Sequence, residues 1–588
     1  MDASIILERA KEYIKLEQHP EFKKQVEDLL ESQQMDELFE RFYQDLEFGT
    51  GGIRGIMGGG YNRMNTLMIQ RASEGLSRYI VTNGVKDKKG RLSVALAYDS
   101  RNNSSLFSKT AASVFAAHGI HVYLFSSLRP TPELSFAIRY FGCTSGAVCT
   151  ASHNPKQYNG FKVYWSDGAQ IVAPHDKNII QQVTLVRGDI KSLDFETAAN
   201  QGLIELVDQE VDQAYLNMVK QQIVRPDILT TYGKTMNIVF TPLHGTGAYL
   251  IEKILSDYQV PVLTVPEQRE PDGNFPTVEF PNPEEASAMK MALDLAKKHK
   301  ADLVLGTDPD ADRVGIAIRT DDSYLLLTGN QHGVLLVDYL FGAKKATNSL
   351  PANPAFVNTI VTTNLQRKIA AAYGAEVFET LTGFKWIAGK IREFEQNNNY
   401  SYVFGCEESY GFMIGDQVRD KDSVSAVILT IEMALYYKSI GKSLLDRLNE
   451  IYTDFGYHQE TLVSKYFEGS SGTSIMNRLM DTLRSEPAHE IGGIKVDSMR
   501  DILDGTTLTV SSGTKVKDLD LPSSNVLQWI LEDGSIISAR PSGTEPKIKF
   551  YASVAEAPGI ELSKAKELVG KKIQRIEAFI QDQIRRVE

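Results

Sequence analysis

Long apolar runs are missing from this sequence. No stretch approaches the roughly 20 apolar residues that a membrane helix needs. The first residues, MDASIILERAKEYIKLEQHP, are interrupted by charge every few positions and lack the apolar centre of a secretory leader. Cysteine is scarce as well. Cys143, Cys149 and Cys406 make three, a low and odd number that argues against a disulfide framework and suits a reducing compartment. Nor is there an excess of positive charge. With 63 Lys and Arg against 75 Asp and Glu, the formal net charge is −12, which argues against bulk attraction to nucleic acid or anionic membrane. A local cationic pocket for a small anion is still compatible with that total. Low-complexity tracts are absent too. The expectation is a soluble cytoplasmic protein without nucleic-acid or membrane partners.

What is present is an ordinary globular composition, 42% hydrophobic and 23% charged over 588 residues. At about 100–200 residues per domain, that length corresponds to roughly three to five domains. Residues 4–46 carry apolar positions at helical spacing, which predicts two or three amphipathic helices. FGTGGIRGIMGGGYNRMN (48–65) is so rich in glycine that it reads as a loop. Four apolar runs then end in polar loops: SVALAYDSRNNS, SGAVCTASHNP, NIVFTPLHGTG and ADLVLGTDPDADR. Helical patterns such as SLFSKTAASVFAAHG and EEASAMKMALDLAKKHK lie between them. Strand–helix alternation predicts α/β units with largely parallel sheets, whose sites gather beyond the carboxyl ends of strands. Residues 266–285 read as an ordered loop inside a domain, 462–478 as a connection into a last domain, and 561–588 as a long amphipathic helix.

Four loops carry chemistry. In Thr150-Ala151-Ser152-His153-Asn154-Pro155, a serine follows an apolar strand directly. It is placed either as an exposed nucleophile that needs a base or a pre-formed phosphoester, or as a helix N-cap. Asp308-Pro309-Asp310-Ala311-Asp312-Arg313 sets carboxylates at alternate positions, which in an extended segment face one side. A bound divalent cation relieves their repulsion, and hard oxygen ligands select Mg²⁺ or Ca²⁺. A solvated acidic turn is the competing reading, and the apolar runs on either side argue against it. Gly405-Cys406-Glu407-Glu408-Ser409-Tyr410-Gly411 pairs carboxylates with a hydroxyl, a combination suited to sugar hydroxyls. Nearby, Thr382-Gly383-Phe384-Lys385 offers a cation, which a surface ion pair would explain equally well. Arg540-Pro541-Ser542-Gly543-Thr544-Glu545-Pro546-Lys547 combines a guanidinium with the donors of an anion-binding turn.

TASHNP, DPDADR, CEESYG and RPSGTEPK in this order resemble the α-D-phosphohexomutase superfamily over roughly residues 40–555. FGTGGIRGIMG, NRMN, PDGNFPTVEFPNPEE and TGFKWI look most like its longer phosphoglucomutase branch, which includes phosphopentomutase-like members. The resemblance implies a four-domain, heart-shaped α/β architecture: three α/β domains with mixed sheets and a C-terminal α+β domain. The expected divisions are 1–211, 212–326, 327–460 and 461–588. It implies Ser152 as a phosphoserine, and Asp308, Asp310 and Asp312 as ligands of one Mg²⁺ together with the seryl phosphate. Glu407 and Ser409 would hold sugar hydroxyls, while Arg540, Ser542, Gly543 and Thr544 would bind phosphate. Arg54, Thr382, Gly383 and Lys385 would contact substrate. His153, Lys162 and Arg313 would serve the transfer, with Lys162 the first choice for proton exchange. The implied reaction interconverts glucose 1-phosphate and glucose 6-phosphate through glucose 1,6-bisphosphate, with phosphomannomutase and phosphopentomutase as alternatives. The partners are sugar phosphates, and the assembly is a monomer or weak homodimer. Some bacterial phosphomannomutase/phosphoglucomutases have a histidine in their sugar loop; this chain has none there, and the residue after Gly411 is Phe412. Two rivals remain open: a phosphatase using Asp308 or Asp310 as the phosphorylated group, and a silent sugar-phosphate sensor.

Overall fold

The computed structural model describes residues 2–321, 323–467, 472–542 and 546–587. It divides into two compact units. The first comprises Met1–Gly329, Ala388–Gly405 and Ser409–Ser439; the second comprises Asn330–Ile387, Cys406–Glu408 and Ile440–Glu588.

The first unit begins with three helices, Ala3–Leu16, Pro20–Glu31 and Met35–Phe42, in the segment where helical spacing predicts them. Asp2 caps the first by accepting from the Ser4 N–H at 3.1 Å, and Pro20 opens the second, where its missing N–H costs nothing. Ile6, Ala10 and Tyr13 lie on one helix face and are fully buried, against Phe42 and Tyr61 among others.

Two sheets follow. The first contains β1 (Gly52–Ile56), β2 (Ser93–Tyr98), β3 (His121–Phe125), β4 (Ser145–Cys149), β5 (Tyr158–Trp165) and β6 (Ile204–Val207), in the order β1-β5-β4-β2-β3-β6. β4, β2, β3 and β6 run parallel, whereas β5 and β1 are antiparallel additions. The second contains β7 (Ile238–Thr241), β8 (Val262–Thr264), β9 (Leu303–Thr307), β10 (Val314–Arg319) and β11 (Tyr324–Leu326), in the order β11-β10-β9-β7-β8. Here too the parallel part, β9-β7-β8, is extended by two antiparallel strands, β10 and β11. Both sheets are therefore mixed. The order 5-4-2-3 in one matches 10-9-7-8 in the other, so the β4–β5 and β9–β10 hairpins are equivalent.

Further along the chain come β12 (Pro354–Thr359), β13 (Glu376–Thr380), β14 (Ser401–Glu407) and β15 (Gly411–Ile414). In the second unit β12 and β13 pair in parallel. The C-terminal sheet is antiparallel in every pairing: β16 (His458–Tyr466), β17 (Glu490–Ile491), β18 (Ile494–Asp501), β19 (Thr506–Thr509), β20 (Thr514–Lys517), β21 (Leu527–Leu531), β22 (Ile536–Pro541) and β23 (Lys547–Ala555). The tail is the expected long helix, Leu562–Arg585, with Val569, Ile573, Ile576 and Ile580 buried along one stripe. Among the described residues no single helix is long and apolar enough to cross a membrane.

Two expectations are corrected. The glycine-rich segment is not all loop, because it contains β1. A Cβ on Gly52 (φ +130°) would lie 1.9 Å from the Phe161 carbonyl oxygen, so glycine is what lets this strand approach β5. The segment 462–478 is not a bare connection. It holds the end of β16 and the start of the helix Gly472–Ser485. β16 lies at the sheet edge, and its half-exposed residues gave little apolar signal.

Candidate active site

β4 and β9 end in the two turns that matter most. After β4 the chain turns at Ser152, which is no helix cap: its φ of +51° places it in the left-handed region, and β5 follows. That conformation costs about 1–2 kcal/mol for a residue with a side chain, so something must hold it. Arg101 does. Its guanidinium donates to four carbonyl oxygens of the turn, those of Ser152, Asn154, Pro155 (2.9 Å) and Tyr158 (3.0 Å). Asp99, fully buried beside it, pairs with Arg101 at 3.3 Å and accepts from Thr150 Oγ1 at 2.6 Å. Thr150 Oγ1 in turn accepts from the Ser152 N–H at 2.8 Å.

After β9, Asp308, Asp310 and Asp312 converge with one carboxylate oxygen each, all within 4.8 Å of one another and all buried. Their convergence does not come from an extended strand, as alternate spacing suggested. The segment is a tight turn with Ala311 at φ +49°. Asp308 Oδ1 accepts from the Asp312 and Arg313 N–H groups at 3.1 and 3.0 Å, and so folds the turn onto itself. Thr246 Oγ1 and the Ser423 hydroxyl donate to the Pro309 and Ala311 carbonyls. A Cβ on Gly245 would stand 2.4 Å from Pro309 Cα. Glycine is needed there for the two loops to fit.

The turns meet. Ser152 Oγ donates to Asp308 Oδ2 at 2.7 Å, and His153 Nδ1 lies 3.2 Å from the same hydroxyl. Lys162 Nζ, from β5, contacts Asp310 at 2.7 Å and Asp312 at 3.2 Å. Lys421 reaches Asp312 at 3.0 Å. Thr131 donates to Asp310 twice, from Oγ1 to Oδ2 at 2.8 Å and from its N–H to the carbonyl at 2.9 Å. Arg313 pairs with Glu284. Arg54, exposed on β1, donates to Asn154 Oδ1 at 3.1 Å.

The electrostatics follow from burial. Loss of water, with Asp310 and Asp312 adjacent, pushes the Asp308 carboxyl well above the usual range. Burial works the same way on Asp310, but Lys162 and hydrogen bonds override it and hold that carboxyl below its usual range. Lys162 is the mirror case: burial favours the neutral amine, yet Asp310 and Asp312 prevail and raise its pKa. As it stands, the side chain is a charged ammonium and not a free base. Burial, with Arg313 and Arg54 near, lowers His153 to about 2, which keeps its ring neutral.

The second unit carries most of the other predicted residues. Glu407, buried at the end of β14, accepts from the Gly383 N–H at 2.5 Å, so Thr382, Gly383 and Lys385 sit beside it. Lys385 Nζ lies 5.3 Å from the Trp386 ring centre. Glu408 accepts from Thr362 Oγ1 at 3.0 Å. Arg540 is on β22 and not in a loop, opposite Lys549, and the Ser542 N–H donates to the Lys547 carbonyl at 2.7 Å. Gly543 and Thr544 lie outside the described residues. Ser409 belongs to the first unit.

Comparison with known proteins places this geometry. Models of the phosphoglucomutase/phosphomannomutase α/β/α domains I, II and III match residues 45–187, 213–321 and 328–455. A phosphoglucomutase of Staphylococcus aureus (strain USA300) is 37% identical over 560 residues, 94% of this chain and 96% of its own length. The chain belongs to the phosphoglucomutase/phosphomannomutase family. A phosphoglucomutase of Staphylococcus epidermidis is 36% identical over 90% of this chain and 94% of its own. The fold is also that of the Paramecium parafusin (phosphoglucomutase) crystal structure in its open form. That structure has a TM-score of 0.67 and 18% identity, with 93% of this chain and 95% of that one covered.

A phosphohexomutase implies a metal, and the residues fit one. Asp310 Oδ1 and Asp312 Oδ1 are buried without a hydrogen-bond partner, an arrangement that costs about 1–3 kcal/mol or more per group unless a cation accepts them. Sequence reasoning missed Asp99, Arg101, Thr131 and Lys421. The first two sit in the polar loop DSRNNS, whose place after a strand was the available signal. Thr131 and Lys421 gave none.

Proposed function

We propose that this phosphohexomutase is a phosphoglucomutase that interconverts glucose 1-phosphate and glucose 6-phosphate, with Ser152 as the phosphoryl carrier. The observation that carries this is a serine hydroxyl in a constrained turn, 2.7 Å from one of three buried carboxylates, two of which have an oxygen without a hydrogen bond. A phosphatase using Asp308 as the acceptor would have no need of that serine. The names of the relatives support glucose as the sugar.

In this reading phosphorylated Ser152 donates to the 6-hydroxyl of glucose 1-phosphate. The phosphorus–Oγ bond breaks and a phosphorus–O6 bond forms, giving glucose 1,6-bisphosphate. The 1-phosphoryl then returns to Ser152, and glucose 6-phosphate leaves. Asp308, Asp310 and Asp312, with the seryl phosphate, would hold Mg²⁺, which withdraws charge from the transferring group. Transfer of this kind depends on positioning and charge neutralisation, and Arg101 holds the carrier in place. His153, neutral, orients the hydroxyl. Lys162 Nζ holds a proton beside the triad. We assign it to relay protons: in the first transfer the ammonium gives its proton to the freed Ser152 Oγ and takes the one released by O6, and on return it gives a proton to the freed O1 and takes the one released by Oγ. Glu407 and Ser409, with Thr382, Gly383 and Lys385, take the sugar hydroxyls. Arg540, Ser542, Gly543 and Thr544 hold the phosphate that is not reacting, and Arg54 and Arg313 meet the substrate anion. Glucose 1,6-bisphosphate acts as intermediate and activator.

Intact-protein mass spectrometry of active enzyme should show one phosphate on Ser152, and a coupled dehydrogenase assay should detect glucose 6-phosphate. A fully active Ser152→Ala enzyme would sink the proposal. Rates on glucose, mannose and pentose 1-phosphates, with bisphosphate present, decide the sugar.

A further inference from the structure

We propose that the second and third N-terminal helices take part in the reaction as a positioning layer for Arg54, with Gln25 and Arg41 as the residues through which they act. This rests on the mutase reading above.

The argument starts at the turn Gly58–Gly60, which follows β1 directly. Gly58 and Gly60 have φ of +150° and +129°. A Cβ on Gly59 would stand 2.2 Å from the Phe22 carbonyl oxygen. The turn is therefore bare backbone pressed against the second N-terminal helix, and its polar groups need partners. Gln25 Oε1 accepts from the Gly59 N–H at 2.9 Å. Arg41 Nη1 donates to the Gly59 carbonyl at 3.0 Å and to Gln25 Oε1 at 3.3 Å. On the other side Asn65 Nδ2 donates to the Gly58 and Gly60 carbonyls at 2.9 and 2.7 Å, while its Oδ1 caps the helix Thr66–Asn83. The turn is gripped from both sides.

β1 is an edge strand with β5 as its single sheet neighbour. Its far end is fixed through this turn, by the Gly58 N–H to the Met64 carbonyl and the Met64 N–H to Ile56. Arg54 lies within that strand and reaches Asn154 of the serine turn. Apolar burial alone would have attached the helices. The Gln25–Arg41–Gly59 contacts add a geometric requirement, and the part of the molecule they define is the strand that carries Arg54.

The test is a double-mutant cycle. Gln25→Met keeps the shape and removes the acceptor; Gln25→Glu keeps the acceptor. Gln25→Met should raise KM for glucose 1-phosphate about three- to tenfold with a smaller change in kcat, and Gln25→Glu should not. In an Arg54→Ala background Gln25→Met should add nothing, since coupled residues are non-additive. An unchanged KM, or the same loss with and without Arg54, overturns the proposal. If Gln25→Met does not fold, Arg41→Met against Arg41→Lys runs the same cycle through the Gly59 carbonyl. Absence of turnover in the unaltered chain would overturn the mutase reading and this one together; failure of the cycle in an active enzyme overturns this one alone.

Discussion

The β4–β5 and β9–β10 hairpins occupy the same place in two sheets of the same strand order, yet their turns are held in opposite ways. The serine turn is gripped from outside. A buried guanidinium collects its carbonyls, and the residue at its tip stands in a strained conformation. The aspartate turn is folded from within, by Asp308 accepting two of its own N–H groups, and its excess negative charge is left for Lys162, Lys421 and a cation. One scaffold can thus present either a serine hydroxyl or a cluster of carboxylates, depending on whether a positive group sits behind the turn or in front of it.

The largest expected effect breaks the cage. Asp310→Asn leaves Lys162 and Lys421 with less to neutralise and removes a ligand. Turnover should fall about a hundred- to a thousandfold, the scale of removing a transition-state charge stabiliser, and added Mg²⁺ should not restore it; a steady-state assay over Mg²⁺ concentration reads this. Next, Arg101→Met leaves Asp99 buried and unpaired. It should destabilise the chain by about 3–5 kcal/mol in urea unfolding, and its loss in turnover should persist under conditions where the protein remains folded. Thr131→Val removes only the hydroxyl bond to Asp310 and should weaken Mg²⁺ binding about 10- to 100-fold, the range for outer-shell partners, by EDTA-buffered titration. The smallest effect isolates the strain. Ser152→Gly and Ser152→Ala should both be inactive, but the glycine variant should be more stable by about 1 kcal/mol. Equal stability would mean that Arg101 does not hold the turn against a backbone cost.

How much of this was legible in the sequence depended on the kind of signal. Apolar runs marked β2, β4, β7 and β9, and helical spacing marked the first and last helices, because burial on one face leaves a period. The motifs around Ser152 and Asp308 were readable because their residue types are unusual together after a strand. β1 was not readable: glycine supplies no side chain to alternate, and its pairing with β5 is a backbone matter. Arg101 was missed because an arginine in a polar loop looks the same whether it faces water or four carbonyls of a neighbouring turn. Thr131 and Lys421 lie far along the chain from the aspartates they touch, so only the fold brings them together.

Thr131 has one more implication. It starts a helix that packs on the first sheet, yet it fixes Asp310, which belongs to the second, by two hydrogen bonds, while Ser152 reaches across to Asp308. Prising these two sheets apart would pull the Ser152 hydroxyl and the three carboxylates out of register with each other. In the proposed reaction, a bisphosphate would therefore have to turn end over end against a pair of sheets that act as a single anvil.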